Sequence, residues 1–390
     1  MVKNSYLSSY LKYDKFAAGS CTIVMLDTGY LTVADCIRGF EKSGHKVYTI
    51  SPGDEFIKRL LTLLVEVKPD FLMSVNHLGF DEEGKLTQLL SELNIPFAIW
   101  YVDSPTYVLK DDPRNVSDHC SLFCWDSCYL DRMEKMGYVS PLHLPLATDP
   151  DVFRPLNRSV GSQENSLSFV GNSMKFATES FRDRVSSTAY QKLRKSAVAR
   201  QLESRQLPMG EILRQLGVPA GDKSLDLEAS FVWEATKEYR LRLVEALLPL
   251  GMTVYGDEGW HEFLSDSRCI RPSVDYYEEL PRLFNNTNVN FNATSLQMKR
   301  AVNQRVFDVA ACGAFLLTDR MPDMEVFFDI GTEAVCYETV EEAVELARYY
   351  LNNAAEREKV ALAARKRVQA EHTYTQRMSA LINAMRRRFS

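Results

Sequence analysis

The chain has 390 residues, too many for one ordinary hydrophobic core and enough for two domains of roughly 150–200 residues each. At 45% hydrophobic and 25% charged it has a globular composition, and a net charge of −6 argues against a nucleic-acid binder, which needs a basic face. The start, "MVKNSYLSSYLKYDKFAAGS", lacks the apolar core of a secretion signal, no stretch approaches the roughly 20 apolar residues of a membrane span, and the eight cysteines are scattered, so the expectation is a cytoplasmic protein without disulfides.

The first half reads as repeated strand–helix units. The apolar run "CTIVML" (21–26) precedes an amphipathic stretch ending at "SGH", then a second strand, "KVYTI". Helix 54–67, strand 71–75, helix 84–93, strand 97–102, strand 122–126, a helix near 129–136 and strand 141–147 follow. His119, Cys120, Cys124 and Cys128 crowd one stretch, but structural zinc sites favour Cys-x2-Cys pairs, so these thiols are expected to pack in a strand and no metal is expected. The Pro-, Ser- and Asn-rich segment 146–166 reads as a linker between domains 1–155 and 163–371.

The second half restarts with strand 167–173 and a helical excursion, 176–248, softly broken at 216–224. Strand 252–256, helix 276–285, strand 288–293, helix 303–312, strands 314–318 and 333–337 and a helical tail 340–390 complete it, with 372–390 expected to pack back on the first domain. The fold class is therefore α/β, two Rossmann-like doubly wound parallel sheets expected to face each other across a cleft. Open sheets of this kind bind ligands outside the carboxyl ends of their strands, where helix N-termini also point.

"NQRVFDVAACGAFLLTDR" (303–320) is the densest polar cluster beside a buried stretch. Asn303 is a good N-cap for a helix whose apolar stripe is Val302, Val306, Phe307 and Ala310, with Gly313 as its stop. Gln304, Arg305 and Asp308 share a side of that helix. The strand before it alternates apolar residues with asparagines, Asn292 among them, which is unusual for a central parallel strand. Lys299, Arg300 and Arg305 suit a phosphate, and Asp308 a sugar hydroxyl; the competing reading is a solvated Arg305–Asp308 pair. Gly171 and Asn172 end strand 167–173; Tyr255, Gly256 and Asp257 end strand 252–256. In the first half, Asp103 in "YVDSP" could bind or deprotonate a hydroxyl, Asn76 and His77 end a neighbouring strand, and Thr28, Gly29 and Tyr30 form the first strand-to-helix turn. The lone Gly29 argues against a multi-glycine dinucleotide fingerprint.

The motif at 303–320, with "MEVFFDIG" after it, strongly resembles the donor-binding domain of GT-B glycosyltransferases, most closely the CgeB-like spore-maturation group, whose pattern runs Arg-x-Phe-Glu, small residues, Cys-Gly and an apolar strand. "IWYVDSP" (99–105), "LPLATDPDVFRPL" (144–156), "SFVGNS", "VYGDEGW" and "EHTYTQRMSALI" fall in the order of the same group, so the resemblance covers roughly residues 95–385. It implies that Asp308 holds a donor ribose and Arg305 faces a pyrophosphate. It also implies that Arg271, Ser273 and Val274 lie along the base and that Glu325 stands near the donor sugar. Retaining relatives carry two glutamates eight apart; here the first position is Arg300 and the second the shorter Asp308.

The function expected is transfer of a sugar from a nucleotide-diphosphate-sugar to a hydroxyl acceptor (glycan, protein or small molecule) without cofactor or metal and with no nucleic-acid or membrane partner. The resemblance implies retention, whereas Asp103 or His77 as a true general base implies inversion. A non-catalytic nucleotide- or sugar-binding module and a nucleotide-sugar epimerase are the alternatives.

Overall fold

Short β-branched and aromatic runs build two separate six-stranded sheets. The computed structural model describes residues 10–106, 113–156, 165–185, 187–219 and 222–390, and the chain divides into unit 1 (Met1–Ala147 with Thr373–Ser390) and unit 2 (Thr148–His372). In unit 1 the strands are β1 (Thr22–Leu26), β2 (Lys46–Ile50), β3 (Phe71–Val75), β4 (Phe97–Tyr101), β5 (Cys120–Cys124) and β6 (Leu142–His143). They pair in parallel in the order β2-β1-β3-β4-β5-β6. β3, β4 and β5 are buried at every position, as strands covered on both faces must be. Helix α1 (Leu31–Lys42) turns Val33, Cys36 and Phe40 inward, followed by α2 (Phe56–Val67), α3 (Lys85–Glu92) and α4 (Leu130–Lys135).

Unit 2 orders its strands β12-β11-β10-β7-β8-β9, all parallel. These are β7 (Asn165–Val170), β8 (Met252–Tyr255), β9 (Ile270–Arg271), β10 (Thr287–Asn292), β11 (Leu316–Asp319) and β12 (Val335–Tyr337). Numbered within the unit, this is the doubly wound order 3-2-1-4-5-6, whose reversal point lies between β7 and β10. Its core joins Leu167, Phe169, Val254, Trp260, Val289, Phe291, Leu317 and Tyr337. Between β7 and β8 come α5 (Lys175–Arg182), α6 (Ser187–Glu203), α7 (Met209–Gln215) and the long α8 (Asp222–Leu247). Then follow α9 (Trp260–Phe263), α10 (Leu280–Asn285), α11 (Gln304–Ala311) and α12 (Met324–Phe327).

The α/β class and both parallel sheets match the sequence reading; several boundaries do not. The expected single tail is three helices, α13 (Val340–Asn352), α14 (Ala354–Glu371) and α15 (Tyr374–Phe389). Thr373 starts α15 with a capping box: its side chain accepts from Gln376 N while Gln376 reaches back to Thr373 N. α15 packs on α1 so tightly that a Cβ on Gly39 would lie 2.8 Å from the Tyr374 carbonyl oxygen. The strand expected over 141–147 shortens to two residues, and that expected over 122–126 starts at Cys120. The expected helix 276–285 begins only at Leu280, because Asp275 caps the preceding turn by accepting from Tyr277 N and Glu278 N. Part of the linker and of the soft break in the helical excursion lie outside the described residues.

Candidate functional site

The reversal point of unit 2 is bridged by an arginine. Arg240, on α8, donates from Nη1 to the Asn172 carbonyl (2.9 Å) just beyond β7, and from Nε to the Ala293 carbonyl (3.4 Å) just beyond β10. It has no carboxylate partner among the described residues. Burial first, and the charge of Arg305 second, pull its pKa down to about 10. The surrounding loops are rigid for packing reasons. A Cβ on Gly171 would strike the Phe169 ring at 2.8 Å, and one on Gly256 would lie 2.3 Å from the Gly171 carbonyl oxygen. Gly171 is thus a glycine because of its own strand's aromatic ring, a reason unconnected with the approach of a ligand. Asp257 staples the two loops, accepting from Ser173 N (3.0 Å), Ser173 Oγ (2.6 Å) and Gly259 N (3.0 Å).

The start of α11 joins this edge. Asn303 stands at the N-cap, yet its side chain makes no capping bond; it donates instead to Asn292 Oδ1 at 2.8 Å. Asn292 in turn donates to Thr318 Oγ1 at 2.9 Å, so the asparagines of β10 tie strand ends together. Arg305 is half-buried, and its Nε is a buried donor without a hydrogen-bond partner among the described residues. Burial lowers its pKa, opposed by Tyr276 and Asp308. A half-buried cation with an unpartnered Nε and no bonded counter-charge suits an anionic ligand.

Five expected donor-side residues have side chains engaged within the chain. Asp308 is 0% exposed, and its oxygens accept from Thr148 Oγ1 (2.7 Å) and Tyr276 OH (2.6 Å), so it ties the start of unit 2 and the 271–279 loop to α11. Gln304 also donates to Tyr276 OH. Lys299 is buried, its ammonium spent on the carbonyls of Leu296 (2.8 Å), Arg205 (3.1 Å) and Leu207 (3.3 Å) and on Gln201 Oε1 (3.2 Å). Arg300 pairs with Asp323 at 3.1 Å, and Glu325 with Arg320, with the Arg300 and Glu325 side chains still exposed. The remaining expected residues sit apart from the arginines' bonds. Tyr255 OH is bonded to Asn165 (3.1 Å), Arg271 donates to the Arg268 and Ile270 carbonyls, and Ser273 and Val274 lie in the loop after β9.

Arg240 was missed because it lies in a long charged helix that reads as solvated. The signal was present: Val232, Thr236, Arg240 and Val244 recur every four residues, which puts a guanidinium on the buried stripe. Also missed was Arg205, which pairs with buried Asp319 at 2.7 Å beyond β11. Burial alone would lower the Arg205 pKa, but Asp319 outweighs it and raises it. Asp319 also accepts from Thr294 N and Oγ1, closing the turn after β10.

Unit 1 gathers most of its expected residues at the carboxyl ends of β1, β3 and β4. Tyr30 OH and Asn76 Nδ2 (3.1 Å) both donate to Asp103 Oδ2, and Asn76 Oδ1 accepts from Val102 N and Asp103 N. Gly29 N donates to Asp27, and Thr28 Oγ1 is a buried atom without a partner. Asn76 and His77 adopt consecutive left-handed conformations (φ 53 and 58), a strain that side-chain bonds of this kind hold in place. His77 is 7% exposed and shares a hydrogen bond with Tyr101 OH through Nδ1, and burial lowers its pKa to about 3. An imidazole so hard to protonate is a weak base and stays a neutral hydrogen-bonding group near neutral pH. Among the described residues, no three His, Cys, Asp or Glu side chains come together as a metal-binding group, and no helix is long and apolar enough to cross a membrane.

Residues 239–383 match the model of a family described as glycosyl transferase-like. The spore protein CgeB of Bacillus subtilis (strain 168) is 30% identical over 133 residues, 30% of this chain and 40% of that protein's length. A glycosyltransferase from Rickettsia africae ESF-5 superposes with a TM-score of 0.53 at 10% identity, over 95% of this chain and 99% of that one. Anabaena Alr3699/HepE, solved in complex with UDP and glucose, gives 0.53 at 10% identity, over 94% and 100%. The fold is that of the GT-B glycosyltransferases, with a CgeB-like relation over part of the length.

Proposed function

We propose that this chain, whose fold is that of the GT-B glycosyltransferases, moves a sugar from a nucleotide-diphosphate-sugar to a hydroxyl acceptor. One observation carries the reading: two arginines, Arg240 and Arg305, stand at the carboxyl edge of unit 2 without carboxylate partners, at the point where a doubly wound sheet binds ligands. A pyrophosphate brings the negative charge that such a pair lacks. The neighbour solved with UDP lends support to that donor class. Unit 2 is the donor side and unit 1 the acceptor side.

As the bond from the sugar's anomeric carbon to the phosphate oxygen breaks, negative charge grows on the departing diphosphate and positive charge on the sugar. Fixed guanidiniums stabilise the former, and such preorganised groups are worth about 3–4 kcal/mol each when well placed. With the cationic charge supplied by the chain, the reaction is expected to proceed without a divalent ion. Asp103, oriented by Tyr30 and Asn76, is placed to accept a hydrogen bond from the acceptor hydroxyl. Retention is the stereochemistry that the resemblance implies; Asp103 acting as a general base gives inversion instead.

The experiment is calorimetric titration with UDP, GDP and ADP, followed by turnover of the matching nucleotide-sugars with and without chelator. Binding that is lost in Arg305→Ala, with turnover unaffected by chelator, is expected. Turnover abolished by chelator sinks metal independence, and absence of any nucleotide binding sinks the donor reading.

A further inference from the structure

Unit 1 keeps an unusual set of polar atoms at one edge of its sheet. Thr28 Oγ1 follows β1, His77 Nε2 follows β3, Ser104 Oγ follows β4 and Trp125 Nε1 follows β5; each is buried and without a hydrogen-bond partner among the described residues. Ser104 is 2% exposed and Trp125 0%. β1, β3, β4 and β5 are consecutive neighbours in the sheet, so all four residues stand at its carboxyl edge, two of them flanking the reversal between β1 and β3. The Tyr30–Asp103–Asn76 bonds draw three of these loops together. Native proteins leave few buried polar groups unpaired, and a cluster at a ligand-binding edge calls for hydrogen-bonding partners from outside the chain.

The charge of this edge selects the class of partner. The four residues following β1, β2, β3, β4 and β5 (27–30, 51–54, 76–79, 102–105 and 125–128) contain Asp27, Asp54, Asp103 and Asp126 and no lysine or arginine. Arg59 and Arg132 reach these loops already donating, to the Ser51 and Asp54 carbonyls and to Thr106 Oγ1. An anion would meet carboxylates here. His77 Nδ1 is bonded to Tyr101 OH, which leaves Nε2 as the ring nitrogen without a partner, a donor or an acceptor according to the tautomer. The set offers two hydroxyls that both give and accept, an indole N–H donor, an imidazole nitrogen and a carboxylate acceptor. Neighbouring hydroxyls, each a donor and an acceptor, match such a mixture.

We propose that the carboxyl edge of unit 1 is a subsite for a neutral carbohydrate, its hydroxyls read by Thr28, His77, Asp103, Ser104 and Trp125 directly or through bridging water. This makes the acceptor of the proposed transfer a neutral sugar, and it rests on that reading only for the reaction, since binding can be measured alone.

The test uses the full chain and saturation-transfer NMR with methyl α-glucoside, methyl α-galactoside, glucuronate and glucosamine, with UDP titrated separately. A neutral glycoside is expected to bind, with glucuronate about tenfold weaker because its carboxylate faces Asp103, and Ser104→Ala and Thr28→Val each weakening the glycoside about tenfold while UDP affinity stays the same. Should one variant fail to fold, the other variant and the wild-type panel still decide. Glucuronate binding as well as the glycosides, glucosamine outcompeting them, or no signal from either neutral glycoside overturns the proposal. Glycoside binding without UDP binding leaves it standing and removes the donor reading; UDP binding without any glycoside signal does the reverse.

Discussion

Arg240 Nη1 lies 2.9 Å from the Asn172 carbonyl oxygen, so a helix residue far along the chain fixes its guanidinium at the end of β7. Its Nε reaches the Ala293 carbonyl beyond β10, which places the charge across the reversal point of the sheet. Lysine, a point charge without a fork, cannot make both bonds. Arg240→Lys and Arg305→Ala are each expected to weaken nucleoside diphosphate binding about 10- to 100-fold by calorimetry, the loss of a charge-assisted contact of about 1.5–3 kcal/mol. A purely structural Arg240 would lower the melting temperature and leave affinity untouched.

Asp308 is expected to behave as a structural residue. Asp308→Asn keeps the shape but replaces one of the two accepting oxygens by an NH2 donor, costing about 1–3 kcal/mol of unfolding free energy in a denaturant titration. The preference for UDP over 2′-deoxy-UDP should be unchanged. Loss of that preference would show that Asp308 reads the ribose after all.

Lys299 gives a matched contrast. Lys299→Met takes the ammonium away from the Leu296 carbonyl and Gln201 Oε1, while the Arg205 and Leu207 carbonyls keep Gln201 Nε2, and the melting temperature should fall by several degrees. Nucleotide affinity should stay within about twofold, since the ammonium is spent inside the fold.

His77 predicts an acid limb of stability. Its folded pKa of about 3 lies below the ordinary value of 6.5, so between those values the unfolded chain binds a proton that the folded chain refuses. Stability is therefore complete above about pH 6.5 and falls as the pH drops toward 3, by up to about 1.4 kcal/mol per pH unit. His77→Gln should flatten that limb in denaturant titrations at pH 4, 5 and 6; an unchanged slope would mean that the imidazole is accessible to protons.

Gly256→Ala should destabilise unit 2 by about 2–4 kcal/mol, because the new methyl group meets the Gly171 backbone at 2.3 Å where nothing flexible can yield. Circular-dichroism melting checks it, and a melting point within a degree of wild type would refute the packing account.

Much of the architecture was legible because it depends on local order. Short β-branched and aromatic runs alternating with amphipathic stretches dictate parallel α/β units, and Asn303 before a Val306–Phe307–Ala310 stripe with Gly313 behind it marks a helix. Thr373 and Gln376 spell a capping box that the expectation of one continuous tail passed over. The chain also shows locally that acidic residues follow the strands of unit 1. Which polar groups are free for a ligand was decided only by tertiary structure. Lys299 and Arg305 look alike as cations near a helix start, yet one meets Gln201 and Leu207, distant in sequence, while the other finds no hydrogen-bond partner for its Nε. Arg240 acts at an edge that exists only because β7 lies beside β10. A charge's availability is set by the neighbours that folding brings within about 3 Å, and periodicity along a chain carries no information about those neighbours.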